Sequence, residues 1–371
     1  MPHDNDITDE RGTRAMVLAA VCKGWRDVAL STPELWASFR FCMQVDQDLD
    51  RLGALKLPLD RSGSFPLTFI ITDETNPIYH FDPTTPSNPP PSSAYLDLLF
   101  EHAHHLGDAS LHLHPDDLCK HLEGVKALPC LHTFRGFELL WLTTTDTFYR
   151  APNFRHLELT GGQMFSSSME FHWSQLVSIN IYEVLTDIAD ILRRCTQLQQ
   201  LKIHGVRQLE HDRSLATSHL RSLYLSVASR DVELFEDILN CLTLPFAIRI
   251  EVELEDILTV PMPHTTFIRF LGRCEAVEEL AIRNFETTYD QLFEYPLIAP
   301  SIKRLEATVK HEIVAEEFEK AVKQLLAKSV QLNEVRILAF DLGFGVEYHA
   351  TKLEANEVST TTTYLSAALL Y

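Results

Sequence analysis

The residues best placed to do chemistry are a run of histidines: His102, His104 and His105, then His112 and His114, then Cys119 and His121. Imidazole and thiolate are common zinc ligands, and residues two apart on a strand share a face. His112 and His114 could therefore hold one ion together with a third ligand. No recognised ligand spacing joins the run, so a metal-dependent enzyme built on residues 102–121 is the minor reading. The other is that these histidines flank a helix-to-strand turn, solvated or bonded to backbone carbonyls. His311-Glu312 opens like a zinc-protease helix, but Ala315 stands where the second histidine belongs. Asp46, Asp48 and Asp50 resemble the start of a calcium loop, yet Arg51 and Leu57 occupy the places that need Gly and Glu, which leaves a solvated acidic turn. The chain carries no G-x-S-x-G, no phosphate loop and no G-x-G-x-x-G after a strand. No residue is given a catalytic, cofactor or metal role, and the expectation is a protein that is not an enzyme.

Composition narrows the partners. The chain has 371 residues, 45% of them hydrophobic and 23% charged, which fits a globular protein with a sizeable core. Its net charge is −20, from 52 acids against 32 Lys and Arg. Nucleic acid and anionic membranes both need a concentrated basic face, so neither is expected as the main partner. No apolar run approaches the roughly 18 residues of a membrane span, and the N-terminus has no apolar signal core. Seven scattered cysteines without a C-x-x-C pair point to a reducing compartment, cytoplasmic or nuclear.

The segment that must position any partner near the N-terminus is residues 21–41, VCKGWRDVALSTPELWASFRF. Val21, Trp25, Val28 and Ala29 recur at helical spacing, with Lys23, Arg26 and Asp27 outside the stripe. Ser31-Thr32-Pro33 stops that helix and restarts another, with Thr32 as a cap and Pro33 at the first helical position. Leu35 and Trp36 follow, and Phe39-Arg40-Phe41 alternates like a strand. This order resembles the second half of the F-box of mushroom-forming fungi, V-C-x-x-W-R-x-[IV]-A-L followed by S-T-P-x-L-W. Val21, Cys22, Trp25, Arg26, Leu30, Pro33, Leu35 and Trp36 stand at the matching places. The resemblance implies docking on a Skp1-like protein and, through it, a link to a cullin and a ubiquitin-conjugating enzyme. The family's Leu-Pro-x-Glu start has no counterpart in residues 1–14. They read as a disordered acidic terminus, with a partial F-box at 15–40.

Beyond a proline-rich loop at 82–93 the chain repeats itself. Strands are expected at 110–114, 131–138, 154–161, 176–183, 198–205 and 220–227, then at 246–253, 277–284, 302–309 and 332–339; an earlier one is expected at 65–71. Four successive starts are 22 residues apart, and most copies read apolar-x-x-apolar-x-apolar, as in Leu198/Leu201/Ile203 and Val277/Leu280/Ile282. That kernel resembles a leucine-rich repeat. The fold expected is α/β, an irregular leucine-rich-repeat solenoid, or horseshoe, over residues 41–340 behind a short helical F-box remnant, with an irregular tail at 341–371. Cys195 and Cys274 sit at equivalent places in two copies and read as small packing residues. The outward positions between kernel residues are Arg155, His156, Glu158, Lys202, His204, Arg221, Ser222, Tyr224 and Arg283, a polar row suited to a protein ligand. Together these imply a non-enzymatic adaptor: a substrate receptor of an SCF-type ubiquitin ligase that holds an unidentified target protein. The rival is a protein-binding scaffold whose partial F-box does not function.

Overall fold

The apolar kernel dictates most of what the chain does. In the computed structural model, the residues described are 11–43, 48–73, 92–112, 118, 120–122, 124–137, 148–160, 172–184, 188–206, 216–217, 219–255, 260–309, 315–329, 331–341, 344–352 and 358–365. They fall into two compact units, Met1–Leu176 and Val177–Tyr371. In the first, β1 (Ser38–Met43), β2 (Leu67–Asp73), β3 (Leu106–His112), β4 (Thr133–Phe137) and β5 (His156–Thr160) pair in chain order, all parallel. In the second, β6 (Ser178–Val184), β7 (Gln200–Val206), β8 (Ala216–Thr217), β9 (Ser222–Val227), β10 (Leu242–Thr243), β11 (Arg249–Leu254), β12 (Glu279–Arg283), β13 (Arg304–Val309), β14 (Glu334–Asp341), β15 (Phe344–Lys352) and β16 (Val358–Leu365) follow. Here β6, β7, β9, β11, β12, β13 and β14 run parallel, while β8 and β10 make a small pair apart. β14, β15 and β16 close the unit as an antiparallel meander.

Every stretch expected to be a strand overlaps one. Leu201, Leu223, Ile250, Leu280, Leu305 and Val335 line up in one cross-strand row. Ile203, Leu225, Val252, Ile282, Ala307 and Ile337 form the next, and no side chain in either row is more than 1% exposed. Burying one such Leu or Ile stabilises by about 1.5–3 kcal/mol, so these two rows are the main core of the second unit. The first kernel residue closes the turn before each strand: Phe154 N–H donates to Ala151, Leu176 to Trp173, Leu198 to Cys195 and Ile302 to Ala299. Two adjacent amides then bond one carbonyl of the preceding copy, as Gln199 and Gln200 do to Val177 and Lys303 and Arg304 do to Glu278. Gly205 and Asn284, two residues past equivalent kernel isoleucines, both take left-handed backbone, at φ 69° and 62°. Gly has no Cβ to clash there. Asn284 holds the same turn with its side-chain amide, which donates to the Leu254 carbonyl at 2.9 Å.

The leucine-rich-repeat horseshoe is not what the chain forms. The architecture is a mostly parallel sheet with helices, α/β but without one regular helix per strand. A three-residue 3₁₀ turn, Phe148–Arg150, precedes β5, whereas helices of seven to fourteen residues connect later strands: Ile188–Arg194, Val232–Cys241, His264–Leu271, Tyr289–Ile298 and Ala315–Lys328. The kernel specifies a buried parallel strand and the turn before it. It says nothing about the connection, and connections of uneven length break the regularity a horseshoe needs. The tail is corrected too: residues 344–352 and 358–365 are the strands β15 and β16. The signal of β15 is period-two alternation of Phe344, Val346, Tyr348 and Ala350, and that of β16 a run of β-branched residues, both without kernel leucines. The helix Asp48–Arg61 begins inside the expected acidic turn, and Ser92–Glu101 takes in the last two residues of the proline-rich loop. The remainder of that loop, residues 82–91, lies outside the described residues.

Candidate protein-binding surfaces

Two N-terminal helices, Arg11–Val21 and Lys23–Ser31, pack against each other across a break at Cys22, whose backbone is extended. The first helix takes in the last four residues of the stretch read as disordered; residues 1–10 lie outside the described residues. Helix ends leave carbonyls without partners, and side chains of this segment supply them. The Arg26 guanidinium Nε donates to the Ala19 carbonyl at 2.8 Å, tying the second helix to the end of the first. Ser31 and Thr32 hydroxyls donate to the Val28 carbonyl at 3.1 and 2.7 Å, and the Trp36 indole N–H donates to Ala29 at 2.7 Å. Thr32 thus closes the helix behind it and does not cap the next one. Pro33 does open a short 3₁₀ turn, Pro33–Leu35, as its fixed φ favours.

These bonds sort the expected partner residues into two sets. Trp36 is 1% exposed and Ala29 equally buried, while Leu30, Pro33 and Leu35 are half-buried. Val21, Cys22, Trp25 and Arg26 are exposed, with Trp25 at 52% and Val21 at 62%. Of the apolar stripe, Val21, Trp25 and Val28 therefore face solvent while Ala29 turns inward. The exposed apolar surface extends beyond it to Val17 and Met16. Val17 was signalled in the sequence by its place four residues before Val21, on the same helical face. Soluble proteins rarely leave several large apolar side chains together in water, and such patches mark interaction sites.

In the second unit the sheet's other face is polar. Cross-strand pairing brings Lys202 beside Tyr224, and His204 into a row with Ser226, Glu253 and Arg283. The His204 ring stacks on Tyr182 at 4.0 Å and leans on Tyr224 at 4.6 Å. Burial, helped by nearby Lys202, lowers its pKa to about 4, so it is neutral at physiological pH. Burial and the Glu253 carboxylate raise the Tyr224 pKa, and its hydroxyl donates to Glu253 at 2.9 Å. Arg283 sits among Glu251, Glu253 and Glu306, its Nε 2.9 Å from Glu306. Burial disfavours its charge, but Glu251 and Glu306 outweigh that and raise its pKa. Arg304 bridges Glu279 and Glu334, and Arg336 bridges Glu306 and Glu347.

Arg221 and Arg155 lie just before their strands, off the face. In the first unit, Arg155 folds back on the Pro152 and Phe154 carbonyls, while Glu158 pairs with Arg135 at 3.0 Å. Sequence reasoning named Arg283 and Glu158 but missed their partners, among them Glu251, Glu306 and Arg135, and named neither Arg304 nor Arg336. The signal was there: R-I-E-V-E in β11 and R-L-E in β13 place charges at alternate positions between the buried kernel residues.

His114 and Cys119 lie outside the described residues, as does most of the His311–Glu312 region, residues 310–314. Among the described residues no group of His, Cys, Asp and Glu could hold a metal ion. His104 and His121 line an open cleft of about 670 Å³ with Asp97, Phe100 and Lys120, where His121 pairs with Asp97 at 3.2 Å. His112 bonds the Ser110 hydroxyl at 3.1 Å. Cys195 and Cys274 are buried, and burial pushes both thiols up to about 12, so neither is a thiolate at neutral pH. Among the described residues no helix is long and apolar enough to cross a membrane. Compared with known proteins, the sequence matches no family model and no curated relative.

Proposed function

We propose that this chain is a non-enzymatic adaptor whose N-terminal helix pair docks on a Skp1-like protein and whose sheet face receives a target protein. It would serve in the cytoplasm or nucleus as a substrate receptor of an SCF-type ubiquitin ligase. The observation that carries the reading is Trp25, half in water beside exposed Val21 and Val28, on a segment whose residue order resembles the F-box. Tryptophan is the side chain most often found at the energetic centre of an interface, because its large area is desolvated on binding. Such an adaptor works by proximity: it holds a target beside the transfer machinery, and its own residues take no covalent part.

The test is co-purification of the full-length chain with a recombinant Skp1-family protein. A stable complex is expected, and Trp25→Ala should weaken it by roughly two orders of magnitude, in line with a hot-spot loss of about 2–4 kcal/mol. If no complex forms, the Skp1-docking reading fails and a scaffold that uses the sheet face alone replaces it.

A further inference from the structure

We propose that the outer edge of β16 is a self-pairing surface, through which two copies of this chain join their sheets antiparallel. Among the described residues, β16 pairs only with β15, and its other edge has no strand beside it. An open edge presents main-chain donors and acceptors to any strand that approaches, and proteins usually blunt it with lysine, proline or a bulge. β16 has none of these. Its sequence, VSTTTTYL, is uncharged, rich in β-branched residues and free of proline, and its pairing with β15 is regular over eight residues. A helix touches each terminal strand, Ala315–Lys328 at β16 and Arg11–Val21 at β1, but β1 also carries exposed Arg40, to which β16 has no counterpart.

The occupant follows from the pattern. Ser359, Thr360, Thr361, Thr362 and Thr363 are all exposed, and they are symmetric in type about Thr361. A two-fold axis through the sheet at Thr361 would set Thr361 against Thr361 of a second copy, Thr360 against Thr362 and Ser359 against Thr363. Residues of like parity face the same way, so each pair falls on one face of the joined sheet. Hydroxyl pairs across strands are favourable, and no charge meets a like charge at the seam even though each chain carries −20. A foreign strand gains the main-chain bonds as well, but only a second copy matches the hydroxyl run at every position.

Sedimentation of the full-length chain over about 1 to 100 µM tests this, since self-association shifts with concentration by mass action. Wild type is expected to pass from monomer to dimer, and Thr361→Lys should remain monomeric with an unchanged melting temperature. A second readout covers the case in which that substitution disturbs the strand. In the proposed register, residues 361 of the two copies lie about 4.5–5.5 Å apart at Cα, inside disulfide reach of about 4.4–6.8 Å. Residues 363 lie roughly 14 Å apart, each two strand positions from the axis and so four from one another. Under mild oxidation Thr361→Cys should therefore cross-link and Thr363→Cys should not, with the linkage located by peptide mapping against native cysteines such as exposed Cys22. A chain that stays monomeric throughout overturns the proposal. So does a dimer indifferent to Thr361→Lys, or equal cross-linking at 361 and 363.

Discussion

The N-terminal helix pair and the polar sheet face of the second unit handle their binding capacity in opposite ways. The helices leave their apolar residues open: Met16, Val17, Val21, Trp25 and Val28 all meet water. Over β11 to β15 the sheet face presents many charges and closes them on one another, each Arg touching two or more carboxylates. A self-satisfied ion network gains little from a partner, because new contacts must replace existing ones and repeat the cost of desolvation. An exposed tryptophan has only water to lose. On the proposed reading, the principal docking energy would come from the helices. On the sheet the difference points to β6–β9, where the rings of Tyr182, His204 and Tyr224 stand together in place of such a network.

The largest expected effect is at Trp36, the closed counterpart of Trp25. Trp36→Ala should destabilise the first unit by about 3–5 kcal/mol, since it opens a cavity and leaves the Ala29 carbonyl only the longer bond from the Thr32 amide; chemical denaturation measures it. Nearly as large, Arg283→Met should cost about 3 kcal/mol, because buried Glu251 then keeps only Arg249 and Glu306 only Arg336. Arg304→Met, at a half-exposed pair, should cost about 0–1 kcal/mol. Equal losses at the two arginines would break the view that the network has a closed centre and an open rim.

His204 gives a pH signature of intermediate size. Its folded pKa, about 4, lies below the ordinary 6.5, so the unfolded chain binds the extra proton first as pH falls. Its contribution to stability is therefore complete above about pH 6.5 and is lost between 6.5 and 4. Melting temperature should decline over that window, and His204→Gln should flatten the part due to this ring. The smallest effect on folding belongs to Trp25→Ala, within about 0.5 kcal/mol of wild type, even as the Skp1-like interaction weakens. A large loss of stability there would show that Trp25 is part of the core and remove the contrast with Trp36.

Much of this was legible in advance, for local reasons. The kernel residues announced the longer parallel strands from 110 onward but not the two-residue pair of β8 and β10, because a buried strand needs apolar side chains at alternate positions and a closing residue before it. Cys195 and Cys274 were legible as packing residues because two copies of the repeat align on them. The horseshoe was not a sound extension, since strand signals carry no information on the length or shape of the segments between them. β15 and β16 were missed because an antiparallel meander needs only weak alternation, and the reading followed the leucines.

The residue order alone determined the kernel strands, their buried side, the helical nature of residues 21–31 and the absence of familiar catalytic motifs. Tertiary structure decided which tryptophan is buried, which charges neutralise one another and which edge stays open. A helical stripe is the same string of letters whether it meets core or water, and only the neighbours that cover Trp36 and leave Trp25 bare distinguish the two. Charge pairing likewise depends on strand register, which joins residues 23 to 30 apart in sequence, as in Arg283 with Glu306 and Arg304 with Glu334.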